Sequence, residues 1–146
     1  MYVIQIKRIL VPLDGSENSL RSLQHALDLA NQCNALVIGL HVITNMSLFT
    51  AIHAMKISED KWPSDVKDIM NDAKKIATTA RKSYEEIVIG GENAGTDIVI
   101  FADSESNAID LIVMGRRGSN IIKGVILGST TNYVLHKSKI PMLVIK

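Results

Sequence analysis

The chain has 146 residues, 47% of them hydrophobic and only 4% aromatic, and a formal net charge of +1. This length predicts one domain over residues 1–146, and the weak charge and scarce aromatics argue against a nucleic-acid partner. Cys33 is the only cysteine, which excludes an internal disulfide and a CxxC site. No apolar run reaches the roughly 18 residues of a membrane span, so we expect a cytoplasmic protein without membrane contact.

The first part of the chain alternates between buried strands and an amphipathic helix. Residues 9–13 form an apolar run typical of a strand buried on both faces of a parallel sheet. The polar residues 14–16 then signal a turn and a helix start. Apolar residues recur at helical spacing from 20 to 30, and residues 35–43 predict a second strand.

The alternation continues after an irregular stretch, residues 44–63, which predicts a long loop with some local helix. Ser64 is the predicted N-cap of a helix that runs to about residue 82, and residues 87–89 predict a third strand. Residues 97–102 have strand propensity, but a parallel crossover requires a helix here, which we predict with Thr96 as its cap. Residues 111–114 and 141–145 predict two more strands, separated by a helix over 129–137.

This alternation indicates an α/β domain with a parallel sheet and right-handed crossovers. In such sheets, ligands bind at the carboxyl ends of the strands, where the strand order reverses. Two strand ends are followed by polar residues and glycine, at 14–16 and at 115–118. If the first and fourth strands are neighbours, both exits line one crevice.

The second of these exits carries a spaced glycine pattern: Gly115, Gly118, Gly128 and then Ser129. Glycines between a strand and a helix let the backbone turn sharply and approach a ligand. A helix that begins at Ser129 would offer unpaired N–H groups and its positive dipole end to an anion. The pattern thus indicates a phosphate cradle, with a purely structural glycine-rich turn as the alternative. It matches neither the P-loop nor the GxGxxG fingerprint.

Each candidate residue also has a structural interpretation. Asp14 could simply end a strand and cap a turn, and Ser129 and Thr130 could be ordinary helix caps. Arg116, like its neighbour at position 117, could clamp phosphate or remain a solvated loop residue. His41 is predicted to pack rather than to act as a base, since the sequence places no nucleophile or metal ligand beside it. We therefore identify no catalytic residue and no metal site.

Five blocks in order resemble the universal stress protein family: residues 8–16, 40–43 and 110–115, the glycine pattern, and residues 141–145. The resemblance implies a single-domain, Rossmann-like, three-layer α/β sandwich whose five-stranded parallel sheet has the order 3-2-1-4-5. Because all four positions of the G-x2-G-x9-G-[ST] motif are present, it also implies the ATP-binding type of this family.

The resemblance further implies roles for individual residues. Pro12 shapes the exit of the first strand, Asp14 contacts the nucleoside near its ribose, and the backbone of Val42 meets the adenine edge. Gly115 and Gly118 approach the ribose and phosphates, and Gly128, Ser129 and Thr130 bind the phosphates at the helix start. Arg116 occupies a position that the motif leaves unspecified, and it stays a candidate phosphate contact on its chemistry alone.

The function that follows from the resemblance is a nucleotide-dependent regulatory or stress-response module. It binds ATP, with Mg, and forms a homodimer through the C-terminal strand. Two alternatives stay open, a slow ATPase or autophosphorylating protein and a dimeric interaction protein with an empty pocket. An enzyme is the less favoured reading, because phosphoryl transfer needs a positioned metal and a residue that orients the nucleophile.

Overall fold

The computed structural model describes residues 3–44, 55–116 and 127–146, in which strands and helices alternate. The strands are β1 (Arg8–Pro12), β2 (Leu36–Thr44), β3 (Met55–Lys56), β4 (Tyr84–Gly91), β5 (Leu111–Gly115) and β6 (Met142–Ile145). The α-helices are α1 (Glu17–Cys33), α2 (Ser64–Ala80), α3 (Ala94–Asp103) and α4 (Ser129–Lys137). Two single 3₁₀ turns lie at Glu59–Lys61 and Glu105–Asn107.

The strands form one sheet in the order β3-β4-β2-β1-β5-β6. All neighbouring pairs are parallel except β3 and β4, which are antiparallel. The five parallel strands confirm the predicted order 3-2-1-4-5. The extra edge strand β3 lies inside the stretch predicted as a loop, and at two residues it is too short to produce a periodic sequence signal. Residues 45–54 of that stretch lie outside the described residues.

Two hydrophobic clusters cover the two faces of the sheet, as in a three-layer sandwich. Along β1, Ile9 and Val11 belong to one cluster and Leu10 belongs to the other, because successive side chains of a strand point to opposite faces. The first cluster contains buried residues of α1 and α2, and the second contains residues of α3 and α4. Both faces are therefore buried, which explains why the strands are near-continuous apolar runs.

Two of the predicted helix caps are wrong. Ser64 is the first residue of α2, and Pro63 occupies the cap position. Thr96 lies inside α3, and the cap is Asn93, whose side-chain oxygen accepts a hydrogen bond from the Thr96 N–H at 3.1 Å. Asp97 reciprocates by accepting the Asn93 N–H at 3.0 Å. This paired arrangement moves the start of the helix upstream, since asparagine is as good a cap as serine or threonine.

Candidate functional site

A cavity of about 180 Å³ lies at the carboxyl ends of β1, β2 and β5. It is bounded by the first turns of α1, α3 and α4, because each of these helices follows a strand that ends at this edge. Its wall consists of Pro12, Leu13, Asp14, Ser16, Ser19, Leu40, His41, Val42, Ala94, Ile98, Met114, Gly115, Gly128, Ser129, Thr130 and Thr131.

The adjacency of β1 and β5 brings most of the predicted site residues together. Ile9 pairs with Leu111 and Leu10 with Ile112, so the two glycine-containing strand exits open into the same cavity, as expected. Seven of the predicted residues line it: Pro12, Asp14, Val42, Gly115, Gly128, Ser129 and Thr130.

Of the other two predicted site residues, Arg116 does not line the cavity, and Gly118 is not among the described residues. Arg116 is exposed, and its backbone rather than its side chain is fixed: its N–H donates to Ile145 O at 2.7 Å, and its carbonyl accepts from Gly128 N at 2.7 Å. Gly118 and its neighbour Arg117 lie outside the described residues.

The three helices that bound the cavity differ in how their N-termini are capped. In α1, the Ser16 hydroxyl accepts the N–H of Ser19 at 3.1 Å, and α3 is capped by Asn93 as described above. The cap residue of α4 is Gly128, which has no side chain to accept a hydrogen bond. Among the described residues no side chain caps α4, and its first residues Ser129, Thr130 and Thr131 line the cavity, an arrangement that favours an anionic ligand.

Asp14 is held at the rim of the cavity by an Asx turn. Its Oδ1 accepts hydrogen bonds from the Ser16 N–H at 2.9 Å and from the Ser16 hydroxyl at 2.5 Å. Gly15 between them has a φ of +83°, a conformation that favours glycine. The carboxylate is thus oriented by its own turn and remains exposed to solvent.

His41 is half-buried, lines the cavity and hydrogen-bonds to the backbone of β1. Its Nδ1 lies 2.7 Å from Leu13 O. Because a carbonyl oxygen can only accept, Nδ1 carries the proton and donates it to this bond. The ring therefore ties the end of β2 to the exit of β1.

Gly115 is required by packing as well as by the cavity. A Cβ at this position would lie 3.1 Å from Asn18 Cβ and 3.2 Å from Asn18 O. Helix α1 therefore passes close to the end of β5, and this approach holds the first turn of α1 over the cavity.

Comparison with known proteins decides the family. The model of the Universal stress protein family matches residues 5–146. The chain belongs to the Universal stress protein family. Universal stress protein YxiE of Bacillus subtilis is 30% identical over 148 residues, covering 95% of this chain and 98% of the relative.

Solved universal stress proteins share this fold. The protein UspA from Lactobacillus plantarum superposes with a TM-score of 0.76 at 27% identity, over 97% of this chain and 99% of the other. A universal stress protein in complex with cAMP superposes with a TM-score of 0.71 at 26% identity, covering 96% of each chain.

Sequence reasoning missed the wall that α3 contributes to this universal stress protein's cavity. Ala94 and Ile98 line it, but apolar helix residues give no chemical signal in a sequence. Thr131 was also missed, although it directly follows two predicted site residues. Within the described residues, no group of three or more His, Cys, Asp or Glu side chains is placed to hold a metal ion. Nor does any described helix have the length and apolar character needed to cross a membrane.

Proposed function

We propose that this universal stress protein binds an adenine nucleotide in the cavity at the strand ends and acts as a nucleotide-dependent regulatory module. The proposed ligand is ATP, with Mg. The observation that carries the proposal is the start of α4, where a nine-residue helix with a glycine at its cap opens into a cavity built from strand ends. A phosphate group would supply acceptors for the N–H groups of this helix start, for which the described residues provide no side-chain cap.

The cavity wall contains both polar and apolar residues, and a nucleotide requires both. The phosphates would lie at the first turn of α4, beside Ser129 and Thr130. The base would lie against the apolar residues Val42, Ala94 and Ile98 of β2 and α3. The Val42 backbone would provide the adenine contacts, because Val42 is the last residue of β2 that lines the cavity.

Asp14 fits the ribose between the base and the phosphates. Its carboxylate lies at the rim on an ordered turn and can accept hydrogen bonds from sugar hydroxyls. Pro12 precedes it at the end of β1 and fixes the backbone there. Arg116 and Gly118 stay proposed phosphate contacts, with Arg116 directly after β5.

The similar protein in complex with cAMP supports a nucleotide as the ligand. That molecule shares the adenine, ribose and phosphate of ATP, so the same division of the cavity would serve both. Slow hydrolysis or autophosphorylation of bound ATP would add to this binding role and would not replace it.

Two variants at Ser129 test the proposed phosphate contact. Proline is well suited to the first position of a helix, and Gly128 already has the extended conformation that must precede it, with φ −63° and ψ 153°. Ser129→Pro therefore removes one N–H donor while keeping the helix start. Hydrogen bonds to charged groups contribute about 1.5–3 kcal/mol, so the ATP dissociation constant should rise at least about tenfold.

The matched control is Ser64→Pro, at the first position of α2, where Pro63 also has an extended conformation (φ −57°, ψ 157°) and which does not line the cavity. This variant should bind ATP as the wild type does. Ser129→Ala separates the hydroxyl from the N–H. Calorimetry in which the wild type binds no adenine nucleotide at millimolar concentration, or in which Ser129→Pro binds ATP unchanged, would refute the proposal.

We also propose a homodimer formed through β6, which lies at the edge of the sheet. Pro141 O and Ile145 O accept hydrogen bonds from Ile112 and Arg116, so the alternate residues 142 and 144 turn their backbone groups outward. Leu143 is 41% exposed on this strand. A second copy, antiparallel across a two-fold axis, would cover this edge.

Light scattering tests the dimer with two apolar-to-acidic changes of similar exposure. Leu143→Asp should shift the protein to monomer. Ile100→Asp on α3, where the wild-type residue is 42% exposed, should leave it dimeric. A wild type that is monomeric at high micromolar concentration, with and without ATP, would overturn the interface.

A further inference from the structure

We propose that Thr131 is a positioning residue of the phosphate site, and this inference rests on the proposed function. Its hydroxyl fixes the first turn of α4 against the end of β5. It would act on the nucleotide through the direction of the α4 N–H groups rather than by touching the phosphates itself.

The hydroxyl of Thr131 makes an unusual contact for a threonine in a helix. The residue is 4% exposed, and its Oγ1 donates to Gly115 O at 2.8 Å, outside its own helix. Helical threonines commonly donate to the carbonyl four residues earlier, as Thr79 does to Lys75 O at 2.9 Å. Thr131 instead joins two elements that are adjacent in space, through residues that lie 16 positions apart in sequence.

A backbone hydrogen bond reinforces this connection. Gly128 N–H donates to Arg116 O at 2.7 Å, and Arg116 N–H donates to Ile145 O at 2.7 Å. The residue that follows β5 is thus bonded to β6, and the cap residue of α4 is bonded to the residue that follows β5. Only the Thr131 bond of this set comes from a side chain, so a change of side chain removes it without altering the backbone donors.

These bonds determine which N–H groups stay available to a ligand. The Gly128 N–H is already used, and the first bond within α4 is donated by Asn132 N–H to Gly128 O at 2.8 Å. The N–H groups of the three residues between them precede the first intrahelical donor. Their direction depends on how α4 is seated on β5, which is what the Thr131 hydroxyl sets.

Loss of this bond should weaken phosphate binding and spare nucleoside binding. Hydrogen bonds to anions depend steeply on donor angle and distance, so a small tilt of α4 reduces several at once. The base side of the cavity is built from other elements, with Val42 on β2 and Ala94 and Ile98 on α3. A residue that only supported the fold would affect both sides alike.

The test compares ATP with adenosine on Thr131→Val, which keeps the side-chain shape and removes the hydroxyl. We expect the ATP dissociation constant to rise about 5- to 10-fold, the range that one lost hydrogen bond produces. The adenosine dissociation constant should stay within about 2-fold, since no adenosine contact is changed. Thr131→Ser retains the hydroxyl and should restore ATP binding to within about 2-fold of the wild type.

Thr79→Val is the matched control, because it removes a hydroxyl-to-carbonyl bond of similar length on α2, away from the cavity. It should leave both affinities unchanged. Calorimetry gives the ATP values and ligand-detected NMR gives the adenosine values. If circular dichroism shows that Thr131→Val is unfolded, Thr131→Ala takes its place with the same two ligands.

Two results would overturn the inference while leaving the proposed function standing. One is unchanged ATP binding in the folded variant, and the other is an equal loss for ATP and adenosine. A wild type that binds no adenine nucleotide would instead refute the proposed function itself, and the inference with it.

Discussion

Substitution of Gly39 by alanine tests the packing beneath the cavity. Gly39 lies in the middle of β2, and a Cβ there would overlap the Tyr84 hydroxyl oxygen and lie 2.9 Å from Leu13 Cδ1. Tyr84 belongs to β4, and Leu13 is buried and donates its N–H to Leu40 O at 2.7 Å, so the cost is that of overpacking a core. We expect Gly39→Ala to lower the free energy of unfolding by about 2 kcal/mol, within the usual range of about 1–3 kcal/mol.

Substitution of Tyr84 provides a second test of this packing. Its hydroxyl is buried and has no hydrogen-bond partner among the described residues. Tyr84→Phe removes a polar group whose burial is uncompensated, and should therefore stabilise the protein by about 1 kcal/mol. Because the same oxygen causes the worst overlap, Gly39→Ala should cost less in a Tyr84→Phe background. Recovery should be incomplete, since Tyr84 Cε2 would still lie 3.0 Å from the new Cβ.

Urea unfolding followed by circular dichroism measures all four proteins of this double-mutant cycle. The expected coupling free energy between the two positions is at least about 1 kcal/mol. The m-value, which is the slope of the unfolding free energy against urea concentration, should be the same in all four proteins. Additive effects of the two changes, or a neutral Gly39→Ala, would refute the reasoning.

Three further predictions concern stability and pH. Burial, with a smaller contribution from Glu86, raises the pKa of Tyr84. The neutral phenol is thus favoured in the folded state, and the contribution of Tyr84 to stability should be constant below pH about 10 and fall above it. An alkaline urea series should show a shallower fall for Tyr84→Phe. Burial also raises the pKa of Glu86, partly offset by Lys74, whose Nζ lies 3.5 Å from its carboxylate. Stability should therefore decline as pH rises through about 4.3, a decline that Glu86→Gln removes; an identical pH profile for that variant would contradict this. Finally, Gly115→Ala should shift the start of α1 slightly, because its Cβ would lie 3.1 Å from Asn18 Cβ and 3.2 Å from Asn18 O. It should cost about 1 kcal/mol in urea unfolding, and a stabilised variant would exclude this close approach.

The main strands of the fold were predictable because burial on both faces of a parallel sheet gives near-continuous apolar runs. Residues 9–13 predicted β1 almost to its ends, since Arg8–Pro12 form the strand. The start of β4 was missed, because its first residues include Glu85 and Glu86. A half-buried carboxylate beside Lys74 looks in sequence like part of a loop. The predicted cap of α3 was wrong because Asn93 and Thr96 are both favourable cap residues, and only the geometry of the turn distinguishes them.

The candidate site divides in the same way. Asp14, Gly115, Gly128 and Ser129 could be predicted to share one edge, because they follow strand ends, and strand ends of a parallel sheet meet at one edge. The apolar wall of the site could not be predicted, because Ala94 and Ile98 resemble any other buried helix residues. The hydroxyl of Thr131 has a role only once β5 and α4 are adjacent in space, which depends on the tertiary fold.

The most direct test of the central claim is a crystal structure determined at saturating Mg-ATP. The account predicts a nucleotide in the cavity, with phosphate oxygens within about 3 Å of the Ser129 and Thr130 N–H groups and the adenine against Val42. An empty cavity under these conditions, or a nucleotide bound elsewhere on the protein, would contradict it.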